Sequence, residues 1–317
     1  MRTLLSVAGL VLALVVAVNY TVDPLGRFGS PAGLAPVVVV GENQVTRDML
    51  QRRDPPDVLV VGSSHAESLD ANYLRRATGM TAYNAYVAGA RVETICAVTR
   101  FAADRFGRWP KVLIIGADVA SFYGELDDVL VLNTHIRPFV PYRLGVAQSV
   151  AIGLRSAKTT LEWTTLLSSL RAVLRACGIS AFAGNTSAGR RAASALVAKD
   201  EYVARYQVHA VDPERVRWLT DLVCQASHEG IQVVLFLTPL HPDLDRVVRE
   251  QSNYPHLQAT VWSLCVRLAG ENAGVHAVDL STIDKFGGDP NGFRDGVHTT
   301  DENGRRMADR LVAVLEC

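Results

Sequence analysis

Five runs rich in apolar and β-branched residues, 57–61, 81–87, 111–116, 232–238 and 275–280, alternate with stretches of helical periodicity. No other feature constrains the chain as much. Strands that are apolar along their whole length, as at 111–116, have both faces buried, so the sheet they build is parallel and covered by helices. The helical stretches are 68–78, 92–106, 212–228, 243–251, 254–268 and 300–316, with an entry helix at 44–53 and a short edge strand at 35–40.

Five strands in this order predict an α/β domain, a flavodoxin-like three-layer αβα sandwich on a five-stranded parallel sheet, with a ligand crevice above the carboxyl ends of the strands. The rhythm lapses between 117 and 211. Amphipathic helical stretches occupy 149–177, and 184–191 is loop-like. This helical insertion after strand three, about 119–211, leaves from the crevice side and reads as a lid or partner surface within a domain spanning 55–317.

The first 22 residues stand apart. After Arg2, residues 4–18 are apolar or small without interruption, and 19–22 extend the run toward the roughly 20 residues a bilayer span needs. Asn19 and Tyr20 occupy the places where a cleavage site wants small residues, which favours an uncleaved signal anchor over a cleaved secretion signal. Residues 23–54 then form a tether and entry segment, rich in Pro and Gly at first. The expectation is a single-pass membrane protein with its main domain outside the cytoplasm, periplasmic or extracellular.

Balanced charge, Lys+Arg 32 against Asp+Glu 32, and the lack of a basic stripe argue against nucleic-acid binding. Neither a dinucleotide-binding glycine pattern nor a phosphate-binding Gly-Lys-Ser/Thr occurs, and no His/Cys/Asp cluster has metal-ligand spacing. No cofactor or metal is expected. The 5 cysteines, Cys96, Cys177, Cys224, Cys265 and Cys317, are odd in number and widely spaced. That allows one disulfide but no dense framework.

Chemistry concentrates at strand ends. Strand one stops at Gly62-Ser63-Ser64-His65, placing a hydroxyl where helix-terminal amides can support negative charge. Gly89 follows strand two, and Asp295-Gly-Val-His298 lies after strand five, before the last helix. A histidine that accepts a hydroxyl proton needs an acid to hold its tautomer, and Asp295 and His298 are spaced so that one turn presents both. His65, beside Ser64, Asp118, after strand three, and His241, in the Pro-bounded loop after strand four, are candidate substrate contacts. Ser63 and Ser64 also suit a helix cap, and Asp118 another.

Gly62-Ser63-Ser64, Gly89 and Asp295-Gly-Val-His298 resemble three sequence blocks of the SGNH/GDSL hydrolases. The likeness is greatest to their extracytoplasmic acyltransferase and esterase branch, which includes alginate O-acetyltransferase-like and teichoic-acid D-alanylation proteins. It covers roughly 57–116 and 231–317. The resemblance implies Ser64 as nucleophile, His298 as base and Asp295 as its orienting acid, with the Ser64 and Gly89 amides as oxyanion donors. It also implies a small ester or acylated cell-surface glycan as substrate. One position departs: the family's Gly-x-Asn reads Gly116-Ala117-Asp118 here, and an ionised carboxylate cannot donate to an oxyanion. The chain is therefore expected to be a membrane-tethered serine esterase or O-acyltransferase. The alternative is a catalytically weak or inactive protein of the same fold that serves cell-envelope binding or assembly with a partner there.

Overall fold

The computed structural model describes residues 2–25, 32–34, 41–126, 128–178, 199–208 and 210–315, without the side chains of 2–5, 8, 128–129, 155–156, 159, 163 and 175. The expected edge strand at 35–40 and the loop at 184–191 lie outside the described residues. In chain order come α1 (Arg2–Val22), α2 (Glu42–Gln51), β1 (Val58–Val61), α3 (Ala71–Thr78), β2 (Ala82–Asn84), α4 (Val92–Phe106) and β3 (Val112–Ala117). There follow α5 (Val146–Leu161), α6 (Trp163–Ala176), α7 (Lys199–Arg205), α8 (Pro213–His228), β4 (Gln232–Leu237), α9 (Pro242–Gln251) and α10 (Tyr254–Glu271). β5 (Val275–Asp279), α11 (Ile283–Phe286) and α12 (Asp301–Ala313) close the chain. Two compact units result: residues 1–51 with 128–188, and 52–127 with 189–317.

The larger unit carries the sheet. Its order is β2-β1-β3-β4-β5 with every pairing parallel, as the alternation of apolar runs predicts. Register is continuous across the middle: Val60 pairs with Ile114, Ile114 with Val234 and Val234 with His276. One face of β1, β3 and β4 buries Val58, Val60, Ile114, Val234 and Phe236 against Leu74 of α3 and Met307 and Leu311 of α12. α4 and α8 pack on each other and touch β1 and β4, respectively.

Local chemistry sets the ends of these elements. The helix expected from residue 68 starts at Ala71, because the Asp70 carboxylate caps it by accepting from the Tyr73 N–H at 2.7 Å. The strand expected over 81–87 ends at Asn84. Its amide nitrogen donates to the Ala66 and Leu69 carbonyls, and its oxygen accepts from the Tyr86 N–H. α8 begins one residue later than the periodicity suggests, since Asp212 is its cap.

A buried ion pair fixes the chain leaving β3. Arg215 donates twice to Glu93, at 2.8 Å each, and reaches the Gly124 and Glu125 carbonyls at 2.9 Å. Neither side chain meets solvent. Such a pair adds little net stability over an apolar pair, yet losing one partner strands a buried charge.

The smaller unit contains α1, α2, α5 and α6. α1 packs on α5 and α6. The Asn19 amide donates to the Thr160 carbonyl at 2.7 Å, and its oxygen accepts from the Ser169 hydroxyl at 2.7 Å. Asn133 ties the segment before α5 to α2 through Asn43 and Thr46. Among the described residues no helix is long and apolar enough to cross a membrane, so the spanning helix expected at 1–22 is not supported.

Candidate active site

β1 delivers Gly62 to the crevice. A Cβ there would stand 3.2 Å from the Ala66 Cβ and 3.3 Å from the Gly116 Cα, so glycine lets the chain turn tightly against β3. The 3-10 turn Ser64–Ala66 follows at once. Ser63 caps it, its hydroxyl accepting from the His65 N–H at 3.3 Å. The cap role open to both serines thus falls to Ser63, and Ser64 is left with a half-buried side chain at the mouth of the turn.

The 293–299 loop brings the acid and the imidazole. Phe293 and Thr299 bridge in antiparallel fashion, and the Arg294 N–H donates to the His298 carbonyl at 2.7 Å. Inside this turn the Asp295 Oδ1 accepts from the Val297 and His298 N–H groups, both at 2.9 Å. The Asp295 Oδ2 lies 2.7 Å from His298 Nδ1, and His298 Nε2 lies 2.8 Å from the Ser64 hydroxyl oxygen. A carboxylate only accepts, so Nδ1 carries the proton and Nε2 is free to take one from Ser64. Burial by itself raises the Asp295 pKa. Hydrogen bonds from the His298 ring and from the Val297 and His298 N–H groups outweigh it and hold this carboxyl well below the usual range.

Two contacts seat this loop against the Ser64 turn, residues apart by more than 200 in sequence. The Ser68 and Thr299 hydroxyls meet at 2.5 Å, and Glu67 accepts from Arg294 at 2.5 Å and from the Tyr86 hydroxyl at 3.1 Å. Beside them α12 approaches so closely that a Cβ on Gly304 would stand 2.2 Å from the Ser68 carbonyl oxygen. No spacing or periodicity signalled Glu67, Ser68, Arg294 or Thr299.

Gly89 adopts a left-handed φ of 72°, with open space where a Cβ would stand. Among the described residues neither its N–H nor that of Ser64 donates to another group of the chain.

Asp118 is engaged elsewhere. Its Oδ1 accepts from the Ala120 N–H at 3.0 Å, capping a 3-10 turn, and its Oδ2 accepts from the Ser63 hydroxyl at 3.1 Å. The same Oδ2 stands 3.7 Å from His65 Nδ1. Ser63 therefore restrains the carboxylate that replaces the expected amide donor. His65 is buried, with Nδ1 3.2 Å from the Thr238 hydroxyl and its ring edge-on to His298 at 6.0 Å. Burial pushes its pKa down, against the pull of Asp118, which keeps the ring neutral near pH 7.

His241 caps α9. Its Nδ1 accepts from the Asp243 N–H at 3.1 Å, its own N–H donates to the Gly296 carbonyl at 2.9 Å, and its ring packs on Phe293. It thereby buttresses the loop that carries Asp295 and His298. No group of acids, histidines and cysteines suited to a metal occurs among the described residues. Cys96, Cys177, Cys224 and Cys265 are free thiols.

No known protein family matches the chain by sequence, and no curated protein is similar to it. Solved structures do resemble it in outline. A GDSL-like lipase from Bacteroides thetaiotaomicron is 13% identical with a TM-score of 0.40, covering 86% of this chain and 96% of that one. An inferred acylhydrolase from Bacteroides fragilis is 12% identical with a TM-score of 0.42, covering 87% and 95%. An acetyl xylan esterase from the rumen bacterium Butyrivibrio proteoclasticus is 10% identical with a TM-score of 0.33, covering 82% and 63%.

Proposed function

We propose that the chain is an SGNH-like serine esterase or O-acyltransferase. The observation that carries this reading is the unbroken hydrogen-bonded series from Asp295 through His298 to Ser64, with contacts of 2.7 and 2.8 Å. The Ser64 oxygen attacks an acyl carbonyl, forming an O–C bond while its proton passes to His298 Nε2. The Ser64 and Gly89 amides hold the negative charge on the former carbonyl oxygen. Collapse breaks the bond to the leaving alkoxide, which takes the proton from Nε2. A water or a sugar hydroxyl then gives its proton to His298 and attacks the acyl-enzyme, and Ser64 is restored when that proton returns to it.

The substrate we propose is a small acyl ester, an acetyl group on a cell-surface glycan being the leading case. The place we propose is outside the cytoplasm, tethered by the 21-residue helix α1. Support for this tether comes from the exposed Leu10, Leu12 and Leu14 side chains along α1. A second reading, an envelope binding or assembly protein with slow chemistry, draws on Asp118, which supplies no donor where the resemblance expects one.

Labelling with a fluorophosphonate probe distinguishes the two readings. The wild type is expected to label and Ser64→Ala to lose the label while keeping its circular dichroism spectrum. Equal labelling of both proteins would remove Ser64 as nucleophile, and absence of labelling in both would favour the binding reading.

A further inference from the structure

In the smaller unit, which buries Met49, Leu130 and Ile136, one helix is built inside out. In α6 the buried positions are Thr165, Ser168, Ser169 and Ala172, with Ser169 wholly buried. Leu167, Leu170 and Val173, three apart, face outward, Leu170 being 54% exposed. α5 buries Ile152 but also bears an exposed stripe, Val146, Val150 and Leu154 four apart, Leu154 at 67%. At the centre Asn19 joins Ser169 and the Thr160 carbonyl. Among the described residues every exposed large hydrophobic except Val266 belongs to this unit.

A helix facing water turns its apolar side inward. Small hydroxyl residues between helices, polar groups bonded to each other inside and aliphatics outside suit packing in lipid, where no hydrophobic drive joins the helices. The charge pattern agrees. α5 and α6 carry Arg155, Lys158, Arg171 and Arg175 and no acidic residue. Apolar stripes combined with basic residues are the composition of helices that lie at an anionic bilayer surface. A cavity of about 530 Å³ along α1 and α5, lined by Val16, Tyr20, Leu144, Ile152, Leu161 and Arg137, offers apolar walls and a cation to an acyl chain and its phosphate. At 16 and 14 residues, α5 and α6 reach about 24 and 21 Å, too short to cross the roughly 30 Å hydrocarbon layer.

We infer that the α5–α6 hairpin is a membrane-docking surface, seated in the interfacial region of an anionic bilayer beside α1. The inference rests on the tether proposed above for α1 and extends it to the insertion. It makes the insertion a lipid-facing element.

The test uses the full chain in nanodiscs of three parts phosphatidylcholine to one part phosphatidylglycerol, with Cys177, Cys224 and Cys317 replaced by Ser. Single reporters Leu12→Cys, Leu154→Cys, Leu170→Cys and Val266→Cys carry a polarity-sensitive fluorophore, read with aqueous iodide and with a spin-labelled lipid as quenchers. The reporters at 154 and 170 are expected to resist iodide several-fold more than the one at 266 and to be quenched by the lipid. Iodide quenching at 154 and 170 equal to that at 266 overturns the inference. If the reporter at 12 is lipid-quenched in that case, the tether stands alone; if it is not, the tether falls too. Protection at 154 and 170 without lipid quenching, in particles holding two chains, assigns the stripes to a second copy and likewise overturns it.

Discussion

The two units differ in how much apolar surface they leave outside. Around the sheet, Val58, Ile114, Phe236 and Met307 fill the interior, and the buried Glu93 and Arg215 pair with each other. In the helical unit Asn19, Thr165 and Ser169 lie inside while Leu154 and Leu170 face out. The first arrangement is stable because water expels apolar surface. In the second, hydrogen bonds join Asn19 to Ser169 and the Thr160 carbonyl, an interior that suits the lipid surroundings inferred above. One chain thus carries a part with almost no large apolar side chain exposed and a part with many.

Each half of that contrast can be broken. The largest effect falls on the catalytic loop of the sheet unit. Asp295→Asn keeps the shape of the turn but loses the acceptor that fixes the His298 tautomer, and is expected to lower kcat on the order of 10⁴-fold, measured on an activated acetyl ester. The same variant reports on pH. The Asp295 pKa is depressed in the fold, so its ionised form stabilises the protein. That contribution is complete above the ordinary carboxylate range near 3.9 and is lost only as pH falls through the depressed value. The stability gap between wild type and Asp295→Asn, followed by urea denaturation, should stay flat over about pH 5–8 and close in stronger acid.

Next comes Glu93→Gln, which takes from the buried Arg215 guanidinium its two-bonded counter-charge and leaves it only the more distant Asp212 carboxylate at 3.7 Å. A loss of about 3–5 kcal/mol is expected, read as a lower denaturant midpoint for the sheet unit. An unchanged midpoint would mean that polarity inside this unit is as dispensable as on its surface. Asn19→Leu tests the other interior. By swapping a buried amide for a hydrocarbon it should cost about 1–2 kcal/mol in thermal unfolding within nanodiscs, because Ser169 and the Thr160 carbonyl lose their partner. A gain in stability would show that this interior prefers apolar filling and would erase the contrast. The smallest effect belongs to Val266→Ser, an exposed apolar residue outside the helical unit. It should change stability by no more than about 0.5 kcal/mol, measured by the same denaturation.

The sequence by itself determined the sheet and two corners of the site. Continuous apolar runs at 111–116 and 232–238 cannot face water on either side, so the parallel, helix-covered sheet followed without any contact being known. Asp295 and His298 were legible because three residues of spacing allow one local turn to present both. The resemblance singled out Ser64, but which serine caps the turn could not be read there. Only the packed turn makes Ser63 the cap and restrainer of Asp118 and leaves Ser64 to His298. The joining of Glu67 to Arg294 and Ser68 to Thr299 depends on α12 closing to within Gly304's reach of the nucleophile turn. Spacing along a chain encodes periodicity and local turns; contacts across 227 or 231 residues exist only once the sheet has brought its strand ends together. The inverted character of α6 was hidden for the same reason: its helical pattern shows two faces, and only the tertiary packing decides which of them is inside.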